Sequence, residues 1–400
     1  MNISFKPFFS PDSRGSDQKK GYRCFLFILL FTFLPINIAS AGPIDTLKPG
    51  EWYEAQGTKM RTVVPNPPPP GIVGPPAVMI AWSGAAYDTS RERLMVWGGG
   101  HADYGGNELY VFDINTLQWA RIWGPSAGIP EGVGTCSETY PDGNPASRHT
   151  YDGLEYLPLQ DRFWANGGAL YCGSGGSSLA TWTFDISTLK WERKMGLSNA
   201  IGSTPVSAYD PVTGHIFFQG YVNFLEYDPA SDTWTKRGSY DKGISGGHTA
   251  AIDPKRRKFI MIGGGEVVIY DIGKTGTLPM QKISTTGSNE IVSNAKYSGI
   301  DYDPVSDRII VWNGGTSVYS LNMDTYVWTL LPPAPTNVVI PTSPPTQGTF
   351  GRFRYIPSKN AFILVNSIDD NVYFYKLSAG APPPSLPPTG FKVSRAVTDN

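Results

Sequence analysis

The sequence is poor in cysteine, histidine and charge. Three cysteines and four histidines occur in 400 residues, and charged residues make up 17% of the chain. So few cysteines exclude a disulfide-knitted scaffold or a cysteine-rich zinc fold. So few histidines confine any imidazole chemistry to His101, His149, His215 and His248. The formal net charge is −1 and no basic face or arm is visible, so nucleic acid is not expected as a partner. A Ser-His-Asp order, a phosphate loop and a dinucleotide fingerprint are also missing; glycine runs such as Gly263 to Glu266 end strands without opening helices. What the chain has instead is 45 glycines, 35 prolines and 13% aromatics, which suits many short strands joined by turns.

The N-terminus carries Lys19, Lys20 and Arg23, then an apolar run from Cys24 to Ile38, then Ala39-Ser40-Ala41. A positive flank, an apolar stretch shorter than a bilayer span and an A-x-A site read as a secretory signal over 1–41. An uncleaved anchor is the alternative, with Pro35 and Asn37 near the end of the run arguing against it. Cleavage leaves 28 basic against 32 acidic groups and only Cys136 and Cys172. Two cysteines in an exported chain invite one disulfide; two separate buried thiols are the other reading. The expected address is the periplasm or the exterior, with no membrane span in the mature chain.

From residue 78 a sentence repeats. A small-residue strand ends in tyrosine, a turn with Asp or Pro follows, and a second apolar strand stops at glycines. The matched positions are Tyr87, Tyr156, Tyr209, Ile252, Tyr302 and Tyr355, separated by 69, 53, 43, 50 and 53 residues. Spacing this regular means one supersecondary unit copied six times. Third and fourth strands follow in each copy, with Trp119, Trp191, Trp234 and Trp328 in the fourth and Met280 in one tryptophan slot. The sixth copy stops after its third strand, while the lone strand-like piece 50–55 stands at the other end with Trp52. Pairing the two ends closes a ring and removes exposed edges. Between them runs the linker 64–76, whose seven prolines exclude helix.

The double glycine ending strand two, the third strand ending in Asp and the fourth-strand tryptophan resemble the Kelch repeat. The resemblance covers residues 52–377. It implies an all-β Kelch-type β-propeller, most simply of six four-stranded blades over 42–380, with a cryptic seventh left open. A Pro-rich tail, 381–400, follows; its LPPTG resembles a sortase signal but lacks the apolar span such a signal needs. Kelch-type propellers include copper oxidases, sugar mutarotases, polysaccharide lyases and binding modules, so the resemblance does not choose a function.

Up-down-up-down blades sort loops by face. Strand-one starts, two-to-three turns and strand-four ends share one face, which puts His101, His149 and His248 on one rim and His215 on the other. That rim also gathers Asp103, Tyr104, Asn107, Arg148, Tyr151, Glu266, Arg352 and Arg354. Aligning strand-one starts places Trp82, Tyr151, Tyr297 and Phe350 at one equivalent position. An aromatic collar over polar groups suits sugars, whose CH faces stack on rings while hydroxyls find partners; packing between blades is the plainer alternative. The insertion Gly124 to Ser147 reaches the same face, and a Cys136–Cys172 bond would pin it beside His101 and His149.

Three functions follow as expectations. The first is a polysaccharide lyase for uronate glycans, with Arg148 and Arg352 neutralising the carboxylate, His149 or His101 as base, and Tyr151 or Tyr104 as acid. The second is a non-catalytic propeller that binds carbohydrate or protein. The third is a copper-radical oxidase or a mutarotase, for which Cys172 beside Tyr171 is a thin match. No cofactor is expected; a divalent ion at His101, Asp103 and Asn107 competes with the reading of local hydrogen bonds that hold the turn. The expected partner is a carbohydrate or small polar ligand at the channel mouth, bound by a monomer.

Overall fold

The computed structural model describes residues 42–131, 136–197, 204–244 and 247–380. The expected signal segment 1–41 and tail 381–400 lie outside the described residues. Six antiparallel sheets of four strands each form a six-bladed β-propeller. Blade 1 holds Ala85–Asp88, Arg93–Val96, Leu109–Asp113 and Gln118–Trp123, and blade 2 holds Leu154–Leu157, Arg162–Asn166, Thr181–Asp185 and Lys190–Lys194. Blade 3 holds Val206–Tyr209, Ile216–Gln219, Asn223–Asp228 and Thr233–Ser239; blade 4 holds Thr249–Asp253, Lys258–Gly263, Glu266–Asp271 and Gln281–Lys282. Blade 5 holds Gly299–Asp303, Arg308–Trp312, Val318–Asn322 and Val327–Leu331, with Thr286–Gly287 added as a parallel fifth strand.

Blade 6 is built from both ends of the described chain. Phe353–Ile356, Ala361–Leu364 and Val372–Tyr375 are completed by Trp52–Ala55, which pairs antiparallel with Val372–Tyr375. Trp52 is buried against Trp312 and Tyr375, and its indole donates to the Thr316 carbonyl. An edge that would otherwise expose unpaired backbone groups is thereby covered.

The repeat has a local cause at each one-to-two turn. Asp88 caps its turn by accepting the N–H groups of Ser90 and Arg91, and Asp210, Asp253 and Asp303 do the same in blades 3, 4 and 5. A left-handed residue then reverses the chain: Glu92, Asp161, Gly214, Arg257, Asp307 and Asn360, one in each blade. Apolar side chains of adjacent blades interlock between the sheets, as where Trp97 meets Phe163 and Trp191.

One expectation changes in detail. His149 does not begin strand one of blade 2; with Arg148 it forms a two-residue strand paired to Ala169–Leu170. Nor do His149 and Tyr151 share a strand, because Tyr151 is left-handed at φ 47° and turns the chain between them. Met280 lies just before the short fourth strand Gln281–Lys282, where the register that pairs Ile269 with Gln281 brings it opposite Tyr270, as Trp119 stands opposite Phe112, and it packs on the core there.

Candidate functional site at the channel mouth

The collar exists, and its backbone is unusual. Trp82, Tyr151, Tyr297 and Phe350 all have positive φ, between 44° and 57°, and Gly247 at the matching place in blade 4 has φ 83°. Bulky residues avoid this region, so the surroundings must hold it. What holds it is a belt of hydrogen bonds between blades: Tyr151 N–H donates to the Trp82 carbonyl, Tyr297 to Gly247, and Phe350 to Tyr297. The reversal at each position aims an N–H at the preceding blade.

The rings then meet. His101 stacks on His149 at 5.4 Å; His149 touches Trp82 at 5.0 Å and Tyr151 at 6.2 Å. Tyr151 packs edge-on to Phe350, and Phe350 lies 5.2 Å from Tyr297. Trp82, His101 and Tyr297 are half-buried and show ring surface, while Tyr151, Phe350 and His149 are buried behind them. The Lys296 ammonium lies over the Tyr297 ring.

His149 is held on both nitrogens. Nε2 sits 2.7 Å from the Asp103 carboxylate, and the ring also bonds the Gly100 carbonyl. Two acceptors facing one imidazole favour the doubly protonated ring, yet burial outweighs Asp103 and Gly100 and lowers the pKa from its usual value. Asp103 engages Nε2, so in the neutral ring that nitrogen carries the proton. His101 Nδ1 accepts from the Ala102 N–H, so its neutral form carries the proton on Nε2. Asp103 is itself positioned by the proline linker, because Ile72, Val73 and Gly74 donate to the carbonyls of Ala102 and Asp103.

Cys136 and Cys172 are joined by a disulfide. The loop it anchors passes over His101, and a Cβ at Gly175 would fall on that ring. With its sulfur bonded to Cys136, Cys172 is not free to be joined to a tyrosine.

Several expected ligands are engaged inside the protein. Arg148 is 1% exposed; it donates to the carbonyls of Ala146 and Gly167 and to the Ser178 hydroxyl, lies over Trp97, and has Glu138 of the insertion at 3.6 Å. Arg352 is fully buried and donates to the carbonyls of Ser83, Val365 and Gly348; burial without a carboxylate brings its pKa down to about 9. Tyr104 is buried and donates to Glu108, and burial followed by that carboxylate raises its pKa. Asn107 bonds Ser126 and Pro145, fastening the insertion. Asp103 bonds His149 and Asn107 bonds the insertion, and no group of three or more His, Cys, Asp and Glu placed to hold a metal occurs among the described residues. His248 packs against Tyr240 in a separate group in which Tyr240 donates to Glu266, and Lys282 lies 3.2 Å from Glu266.

A charged cluster inside the channel was not anticipated. Glu155, Asp301 and Arg354 occupy one register in blades 2, 5 and 6, each directly before the repeat tyrosine, where blades 1, 3 and 4 carry Ala86, Ala208 and Ala251. Asp152 joins them; Asp152, Glu155 and Arg354 are buried and Asp301 is half-buried. Arg354 Nη2 lies 3.8 Å from Glu155, and neither its Nε nor its Nη2 has a hydrogen-bond acceptor among the described residues. Burial raises Glu155 to about 7 and Asp152 to about 6, with Arg354 opposing both. The signal was legible: charge at a strand-one position that three other copies fill with alanine.

The fold and site together define a six-bladed β-propeller with one ring-lined mouth and a charged channel. No protein-family model and no curated protein matches the chain. No helix among the described residues is long and apolar enough to cross a membrane.

Proposed function

We propose that the chain is an exported Kelch-type propeller that binds carbohydrate at the channel mouth without turning it over. One observation carries this reading. Six rings from blades 1, 2, 5 and 6 form one contacting cluster at the entrance, while both arginines that elimination from a uronate needs are buried against protein carbonyls. Half-buried Trp82 and Tyr297 offer faces for sugar CH groups, and His101 Nε2–H offers a donor. The apolar run before Ala39-Ser40-Ala41 and the Cys136–Cys172 bond both support an oxidising compartment outside the cytosol. The test titrates the purified protein with neutral and uronate oligosaccharides by calorimetry, while absorbance follows unsaturated uronate. Binding with flat absorbance is expected. Accumulating unsaturated product would replace the reading with the lyase, and no binding to either class would end it.

A further inference from the structure

A groove of about 290 Å³ flanks the collar on the same face, between the connection from blade 5 to blade 6 and the two-to-three turn of blade 6. Its walls include Asn366, Asp370, Ser343 and Gln347, with Ile80 and Pro345 as apolar surface. Asn366 is 1% exposed, and its amide orientation is set by Thr342: Nδ2 donates to the Thr342 carbonyl at 2.8 Å and to Thr342 Oγ1 at 3.2 Å. The amide NH₂ must therefore face Thr342, and Oδ1 is left without a hydrogen-bond partner among the described residues. A buried amide oxygen with no donor carries a desolvation cost that a ligand hydroxyl would relieve. Thr342 Oγ1 donates in turn to Asp370 Oδ2 at 2.8 Å, so the same threonine orients the carboxylate and leaves Oδ1 to a ligand.

The walls are fixed from beneath. Arg352 donates to the carbonyl of Val365, next to Asn366, and to that of Gly348, next to Gln347. Its buried guanidinium thus ties the two sides of the groove together, which makes it a positioning residue. Gly348 in turn packs on Tyr297 and Phe350, so the groove runs into the collar.

We infer that this groove is a subsite for one neutral sugar residue of a glycan held at the mouth, an inference that rests on the carbohydrate reading above. Oriented acceptors at Asn366 and Asp370 call for hydroxyl donors, the serine and glutamine side chains can answer in either sense, and Ile80 and Pro345 receive the CH face. No Lys, Arg or His among the described residues lines the groove, and Asp370 repels a carboxylate, so a uronate is disfavoured there.

Calorimetry with cellotriose, mannotriose and galactotriuronate on the full mature chain tests this, using Asp370→Asn, Ser343→Trp and Trp82→Ala. Asp370→Asn keeps an acceptor for Thr342 but loses the charge-assisted bond to the sugar, and Ser343→Trp adds bulk at an exposed lip without touching the core. Each is expected to weaken the neutral trisaccharide at least tenfold with an unchanged thermal melt. If both bind like wild type while Trp82→Ala loses affinity, the carbohydrate reading stands and the subsite is refuted. Galactotriuronate binding tighter than the neutral sugars and weakened by Ser343→Trp overturns the neutral class. Binding of none of the three by wild type ends both readings.

Discussion

Replacing Glu155 with glutamine should stabilise this protein at alkaline pH and leave it unchanged in mild acid. Burial holds the Glu155 carboxyl at about 7 against its usual 4.5, in spite of the nearby Arg354. At about 1.4 kcal/mol per pH unit, ionising it in the folded chain costs about 3 kcal/mol more than in the unfolded chain. Because the folded pKa of this acid is raised, the folded state binds more protons between 4.5 and 7, and stability falls as pH rises through that window. By about one pH unit above 7 the loss is complete. A glutamine side chain cannot ionise, and its carbonyl can keep the bond that Ser207 now gives Glu155 Oε1 at 3.1 Å. Arg354 stays balanced by Asp152 and Asp301, which raise its pKa along with Glu155 although burial opposes them. Urea unfolding at pH 5 and pH 8 is the assay. Glu155→Gln should match wild type at pH 5 and exceed it by about 1–3 kcal/mol at pH 8. An equal offset at both pH values, or a variant less stable than wild type at pH 8, refutes the reasoning.

Other perturbations have equally definite outcomes. Asp103→Asn removes the carboxylate that opposes burial at His149, so the imidazole pKa, followed by NMR of the ring protons, should move further down; no movement would mean the 2.7 Å pair does not form in solution. Reducing the Cys136–Cys172 bond frees a loop closed across 36 residues and should lower stability by about 2–4 kcal/mol in urea titrations with and without reductant. Trp52→Ala empties a buried site in the closing strand and should cost about 3–5 kcal/mol, measured the same way. Gly100→Ala sets a Cβ on the backbone of Arg148, which cannot rotate away, and should destabilise by about 2–4 kcal/mol; a neutral result would show that the turn can shift.

The blade count, the fourth-strand tryptophans and the closing strand could all be read along the chain. The first two depend on alternation, on turns with a left-handed residue and on spacing, which act between residues close in sequence, while the closing strand was legible because the sixth copy is one strand short, although it pairs Trp52 with Tyr375 across the chain. The rim assignment was legible for the same reason, because strand order alone decides which turns share a face. It placed His101, His149, Trp82, Tyr151 and Tyr297 on one side, and the rings do meet there, Phe350 among them.

Only the tertiary structure decided what each polar group is already doing. Arg148, Arg352, Tyr104 and Asn107 share the rim with the collar, but protein partners occupy them, several far away in the chain: Ser178 for Arg148, Ser83 and Val365 for Arg352, Pro145 for Asn107. Periodicity says which side of a sheet a residue faces. Whether a guanidinium finds a carbonyl or water depends on distances that arise only when six blades close. The same closure brings Glu155, Asp301 and Arg354 from three blades into one channel and leaves the Asn366 oxygen without a donor among the described residues.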